Sequence, residues 1–140
     1  MVVIREFKCD LFASDNNMAH CVSADLAMSL GIALTFKNKF GKIDELMKQN
    51  RFIGSAPFIK NNDKIIYYLV TKEKYYQKPA IEHLILCLIN MRKHMLANNI
   101  THISIPKLGC GLDGLSWTIV KEHIYNIFKN DDIVVDVYYL

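Results

Sequence analysis

The chain is 140 residues long, 51% hydrophobic and 22% charged, with a net charge of +3. That is one domain with room for a real core and not two, so residues 1–140 are read as a single unit. The positive charge comes from scattered lysines rather than a cluster, which does not argue for nucleic acid. Four cysteines, Cys9, Cys21, Cys87 and Cys110, lie far apart without a Cys-x-x-Cys pair. This argues against a zinc site and a disulfide framework and for reduced thiols inside the cell.

In chain order, Val2 to Lys8 is short and rich in β-branched and aromatic residues, and predicts a first strand. Arg5 and Glu6 interrupt it before any apolar run of signal-peptide length, so secretion is not expected. Asp10 to Ala13 follows, and Ser14 to Asn17 has turn chemistry. Met18 to Ser23 predicts a second strand, with Asp25 in the first turn of the next element. From Leu26 to Phe40 the apolar positions Leu26, Leu30, Ala33, Leu34 and Phe36 recur with helical spacing. Gly31 sits inside that pattern, where glycine costs about 1 kcal/mol against alanine. Either the helix starts late or the missing side chain permits a close approach. Gly41 is placed to stop this helix, and Ile43 to Asn50 predicts a short second one.

Ser55 to Lys60 and Lys64 to Thr71 flank Asn61-Asn62-Asp63, a hairpin signal. Ile65 to Val70 is apolar throughout and predicts a central strand. After Tyr75, Tyr76 and Lys78, Pro79 opens a helix reaching about Asn98, with a stripe of Ile81, Leu84, Ile85, Leu88, Met91 and Met95. The window Ile81 to Met91 is too short to span a bilayer, so no membrane association is expected. Ile100 to Pro106 predicts a strand, the residues after Gly114 a helix bearing Trp117, Val120, Ile124, Ile127 and Phe128, and Ile133 to Tyr139 a last strand. Strands alternate with helices around one hairpin. The predicted fold is α/β, three layers, with a central mixed and mostly parallel sheet.

Three strand ends carry polar groups that packing does not require: Lys8-Cys9-Asp10, Thr71-Lys72 and Gly109 to Asp113. In a mostly parallel sheet such ends converge on one rim, where α/β folds bind ligands. Asp10 is either a turn residue bonding nearby N–H groups or a carboxylate accepting from a ligand amine. Lys72 is either a solvated surface lysine or, partly desolvated after a buried strand, a nucleophile towards a carbonyl or masked aldehyde. Asp113 is either a helix-entry residue or a general acid/base. Gly109 and Gly111 are best explained by close approach of backbone to something bulky and anionic. Cys110 between them reads as a small filler, His20 as a hydrogen-bonded core histidine and Trp117 as core.

At these residues the sequence resembles a macro domain, in particular the branch that includes terminal ADP-ribose protein glycohydrolase. The matching text is Lys8-Cys9-Asp10-Leu11-Phe12-Ala13, Ala19-His20-Cys21-Val22-Ser23, Gly31-Ile32-Ala33 with Phe36-Lys37 and Lys39-Phe40-Gly41, Ile66 to Lys72, Lys78-Pro79, Gly109-Cys110-Gly111-Leu112-Asp113 and Val137-Tyr138-Tyr139-Leu140. It runs in one order from end to end of the chain. The resemblance implies that Asp10 bonds the adenine amine beside Leu11, and that Tyr138 walls the adenine pocket. It implies that Ser23, Gly31 and Ile32 on one side, and Gly109, Cys110, Gly111 and Leu112 on the other, hold the diphosphate and distal ribose. Lys72 would attack the anomeric carbon and form a covalent adduct, with Asp113 moving the protons. The implied substrate is mono-ADP-ribose esterified to a protein glutamate or aspartate, with O-acetyl-ADP-ribose as a second candidate. No cofactor or metal is implied. The partners would be ADP-ribose and mono-ADP-ribosylated proteins, met by a monomer in the nucleus or cytoplasm. Two departures stand out. Ser29-Leu30 replaces the family's Gly-Ala before Gly31, and Cys9 replaces a glycine. The first motivates an alternative, a reader module that binds ADP-ribose without turning it over. A nucleic-acid-binding module ranks third, with only scattered Lys and seven Tyr behind it.

Overall fold

A computed structural model describes all residues, 1–140. Six strands form one sheet: β1 (Val3–Lys8), β2 (Asn17–Ser23), β3 (Phe58–Asn61), β4 (Lys64–Lys72), β5 (His102–Ile105) and β6 (Val134–Tyr139). The helices are α1 (Gly31–Phe40), α2 (Ile43–Met47), α3 (Ile81–Ala97) and α4 (Trp117–Phe128), with a 3-10 turn at Leu11–Ala13. The sheet order is β1-β6-β5-β2-β4-β3. Every pairing is parallel except the β3–β4 hairpin. The mixed, mostly parallel sheet is therefore as the element pattern predicts.

The apolar run of β4 explains the three layers. Ile65, Tyr67 and Leu69 point into a core shared with α3 and α4, whereas Ile66, Tyr68 and Val70 point into a smaller one with Phe36 and Leu46 of α1 and α2. A strand covered on both faces needs apolar residues at every position. Although interior, β4 is one strand from the edge, because only the short β3 lies beyond it.

The predicted helix from Leu26 is wrong at its start, since α1 begins at Gly31. Leu26 and Met28 have left-handed φ of 53° and 45°, yet both are buried in the smaller core. Leu26 fits the predicted stripe because the core needs it, whereas Leu30, the next residue of that stripe, is exposed. Gly31 has φ of +60°, so the late-start reading holds. Gly41 caps α1 at φ 59° as expected, and α2 ends at Met47 rather than Asn50. Helix α3 begins two residues after Pro79, at Ile81. No helix is long and apolar enough to cross a membrane.

Candidate active site

The carboxyl ends of the parallel strands open into one cleft of about 1030 Å³. All twelve residues singled out from the sequence, Lys72, Asp113, Asp10, Leu11, Ser23, Gly31, Ile32, Gly109, Cys110, Gly111, Leu112 and Tyr138, line it. The three strand ends do converge on one rim.

Lys72 closes β4 and Asp113 lies in the β5–α4 connection. Lys72 Nζ donates to Asp113 Oδ1 at 2.7 Å, with side chains 13% and 18% exposed. The pair is therefore mostly shielded but reachable from the cleft. Lys72 is paired in the sheet with Ser23 at the end of β2, where the register shifts.

Two rows of unpartnered backbone donors belong to residues that line the cleft. Leu30 caps α1 without a side-chain hydrogen bond, so the first N–H groups of α1, at Gly31 and Ile32, are left to solvent or a ligand. The N–H groups of Gly111, Leu112 and Asp113 also donate to nothing in the protein. Free donors at a helix start and in a glycine turn attract anions. The Leu112 side chain reaches across to α1, since a Cβ on Gly31 would lie 3.4 Å from its Cδ1.

The two glycines of the turn serve different purposes, which corrects the expectation that a ligand explains both. Gly109 has φ of +70°, and a Cβ there would sit 2.7 Å from Leu115 Cδ1. Chain conformation alone demands it. Gly111 is outside the left-handed region and a Cβ would meet nothing within 4 Å, so only a ligand would feel it.

At the other end, Asp10 caps the 3-10 turn by accepting from Phe12 N–H through Oδ1 at 3.0 Å, which is the turn role. Its second oxygen accepts from no protein group, so the ligand role survives beside it. Tyr138 stands next to Phe7, ring centroids 5.5 Å apart, and Lys107 Nζ lies 4.1 Å over the Tyr139 ring. The thiols of Cys21 and Cys110 are both pushed up by burial, and Cys110 Sγ donates to Leu108 carbonyl at 3.2 Å. A filler role for Cys110 agrees with that. Trp117 is only half-buried against the larger core, and its Nε1 donates to Glu6 at 3.1 Å.

His20 is buried but not hydrogen-bonded: neither ring nitrogen has a partner. It lies flat against Phe36, centroids 3.7 Å apart at 9°, and burial pushes it down to about 3. The expected polar partner is replaced by ring stacking.

Sequence reasoning missed a clamp at Asp25. Its carboxylate accepts from Ser23 Oγ, Ala27 N–H and Tyr75 N–H, tying the β2–α1 connection to the β4–α3 connection. Burial alone would raise its carboxyl, but those donors outweigh it and hold it below its usual value. The signal was a Ser and an Asp two apart directly after a strand. Lys78 Nζ likewise donates to the Leu112 carbonyl. Ser29 does not have a positive φ, and Leu30 is extended at φ −139° and points outward, so the departure at these positions introduces no backbone strain.

No family model matches the chain. Curated proteins do. The human and bovine proteins named ADP-ribose glycohydrolase OARD1 are each 42% identical over 135 residues, 95% of this chain and 89% of theirs. Among solved structures, the macrodomain of Mycobacterium tuberculosis DarG superposes with a TM-score of 0.90 at 22% identity, covering 100% of this chain and 99% of that one. Thermosipho africanus DarTG in complex with ADP-ribose does so at 0.86 and 21%, covering 99% of this chain and 42% of that one. The structural likenesses carry the fold and the sequence likeness carries the branch: the chain belongs to the macrodomain family, among the relatives of ADP-ribose glycohydrolase OARD1.

Proposed function

We propose that this chain is an ADP-ribose glycohydrolase acting on mono-ADP-ribose esterified to protein glutamate or aspartate side chains. The observation that carries the mechanism is the shielded Lys72–Asp113 contact at 2.7 Å, set on the wall of a cleft with two rows of free backbone donors. The adenine amine bonds the free oxygen of Asp10 and the ring lies by Tyr138. The diphosphate rests between the N-terminus of α1 and Gly111-Leu112, which brings the distal ribose to Lys72.

Asp113 takes a proton from Lys72, and the freed amine adds to the anomeric carbon. The bond to the acyl oxygen breaks and the protein carboxylate leaves with the electron pair. Ring opening turns the adduct into an imine. Water adds to it, Asp113 moves the protons, and ADP-ribose departs with the lysine restored. A carboxylate is a good leaving group, so one nucleophile and one acid/base group suffice. Four free cysteines support a reducing compartment, cytoplasm or nucleus.

The test is incubation with a protein ADP-ribosylated on glutamate. Release of ADP-ribose, with a mass adduct on Lys72 when the reaction is trapped, is the expected result. Binding of ADP-ribose by calorimetry with no release above background would make the protein a reader instead.

A further inference from the structure

The cleft mouth carries side chains that the nucleotide chemistry above leaves unused. Tyr75 and Tyr76, on the β4–α3 connection, are 55% and 70% exposed, with rings packed edge to face at 5.4 Å. Leu30 and Leu112 are 66% and 65% exposed. All four line the one cleft. Single exposed apolar side chains need no explanation, but four around one opening mark a surface that meets something.

The segment bearing the tyrosines is held in place. Tyr75 N–H donates to Asp25 Oδ2, Lys74 N–H to Gln77 Oε1 and Lys78 Nζ to the Leu112 carbonyl. The tyrosines are thus presented from a tethered loop at little further ordering cost. Between positions 72 and 78 there are three lysines, Lys72, Lys74 and Lys78, and one acid, Glu73. Lys72 is taken up by Asp113, so the charge beside the aromatic faces comes from Lys74 and Lys78, neither of which forms a salt bridge.

We propose that this rim docks the polypeptide that carries the ADP-ribose, an acidic segment with an apolar or aromatic side chain beside the modified carboxylate. The proposal rests on the hydrolase reading. A chain esterified at the anomeric carbon leaves the cleft from Lys72, and the residues that follow Lys72 on the wall are Tyr75 to Lys78. Glutamate- and aspartate-bearing segments are negatively charged, which matches the two unpaired lysines, Lys74 and Lys78.

Two substrates that share the reacting sugar separate the possibilities: an acidic polypeptide ADP-ribosylated on glutamate, and the acetyl ester of ADP-ribose. In the double variant Tyr75→Ser/Tyr76→Ser, kcat/KM on the polypeptide should fall about tenfold, the scale of a lost aromatic anchor, mainly through KM. On the acetyl ester it should stay within about twofold, inside the range of near-neutral contacts. Lys74→Gln should flatten the salt dependence of KM for the polypeptide only. Equal losses on both substrates, or no loss on the polypeptide, overturn the proposal. A wild-type dimer that the double variant turns into monomer by sedimentation also overturns it, assigning the rim to self-association. Turnover of neither substrate by wild type sinks the hydrolase reading itself, a result distinct from selective failure of the docking variants.

Discussion

Lys72 and Asp113 lie 41 positions apart in the chain, yet Nζ of one reaches Oδ1 of the other at 2.7 Å. They come together because β4 and β5 flank β2 in a parallel sheet, so both strand ends deliver their loops to the same rim. Lys72→Arg separates charge from nucleophilicity at this contact. Guanidinium keeps the ion pair and stays protonated, so the fold should melt within a few degrees of wild type. Release of ADP-ribose from a glutamate ester should fall by at least about 100-fold, and no adduct should form at position 72. Retained turnover would remove the lysine from the chemistry.

A companion change, Asp113→Asn, keeps a hydrogen-bond acceptor for Lys72 but cannot take a proton from it. Turnover should fall by about 10²–10⁴, the range for loss of an acid/base group. Calorimetric affinity for ADP-ribose should stay close to wild type, because the diphosphate donors are backbone N–H groups. A parallel collapse of affinity and turnover would mean that Asp113 shapes the binding site rather than the reaction.

The glycine turn makes a sharper pair. Gly109→Ala places a methyl at φ +70° and 2.7 Å from Leu115 Cδ1. It should destabilise by at least about 1–2 kcal/mol, the left-handed penalty, with displacement of the Leu115 side chain added to it. Gly111→Ala meets nothing within 4 Å in the protein. Its melting temperature should not move measurably, a shift within about 0.5 kcal/mol, while ADP-ribose affinity weakens. Denaturation and calorimetry on both variants check this, and the opposite pattern would invert the roles assigned to the two glycines.

Much of this site was legible because polar residues at the ends of apolar strands have few structural excuses. Asp10, Lys72 and Asp113 stand out for that reason, and the parallel sheet brings them together. What stayed hidden depended on tertiary contact. Leu26 joins the apolar stripe because a core needs it, and its left-handed backbone, like that of Met28, is invisible in residue type. The same limit concealed the link between Asp25 and Tyr75, two loops 50 positions apart. Strand order was unreadable because parallel strands carry no turn to announce their partner. Gly109 misled in the other direction: the neighbour that forbids its Cβ, Leu115, is a folded-state fact.

Asp136 predicts behaviour in acid. Its carboxylate lies in the middle of β6 and accepts from Arg5 Nε at 2.7 Å, Arg5 Nη2 at 2.9 Å and His102 Nε2 at 2.5 Å. Burial alone would raise its carboxyl, yet Arg5 and His102 hold it below the usual carboxylate value. A depressed carboxyl contributes stability that is whole above the unfolded value of about 4 and is lost as pH falls through the folded one. Asp136→Asn should therefore destabilise at pH 7 by about 2–3 kcal/mol, less than for a fully buried pair because Arg5 is half-exposed. Urea titrations should show the gap to wild type closing below pH 4. A gap that stays constant would mean that Asp136 acts through shape alone.

His20 has the opposite charge logic and a wider window. The unfolded histidine takes its proton near pH 6.5, but the buried ring does not until about 3. Between those values the unfolded state binds more protons, so stability falls as pH drops, by about 1.4 kcal/mol per unit once below 6.5. His20→Leu removes two unpartnered buried nitrogens and the titration together, at the loss of the stack on Phe36. At pH 7 these effects nearly offset. By pH 5 the leucine variant should have gained about 2 kcal/mol on wild type, because only wild type has a site that protonates on unfolding. The carboxylates titrate in both proteins and cancel in the difference. Urea midpoints at pH 7 and pH 5 measure it, and parallel shifts in the two proteins would mean that the native protein already accepts a proton at His20.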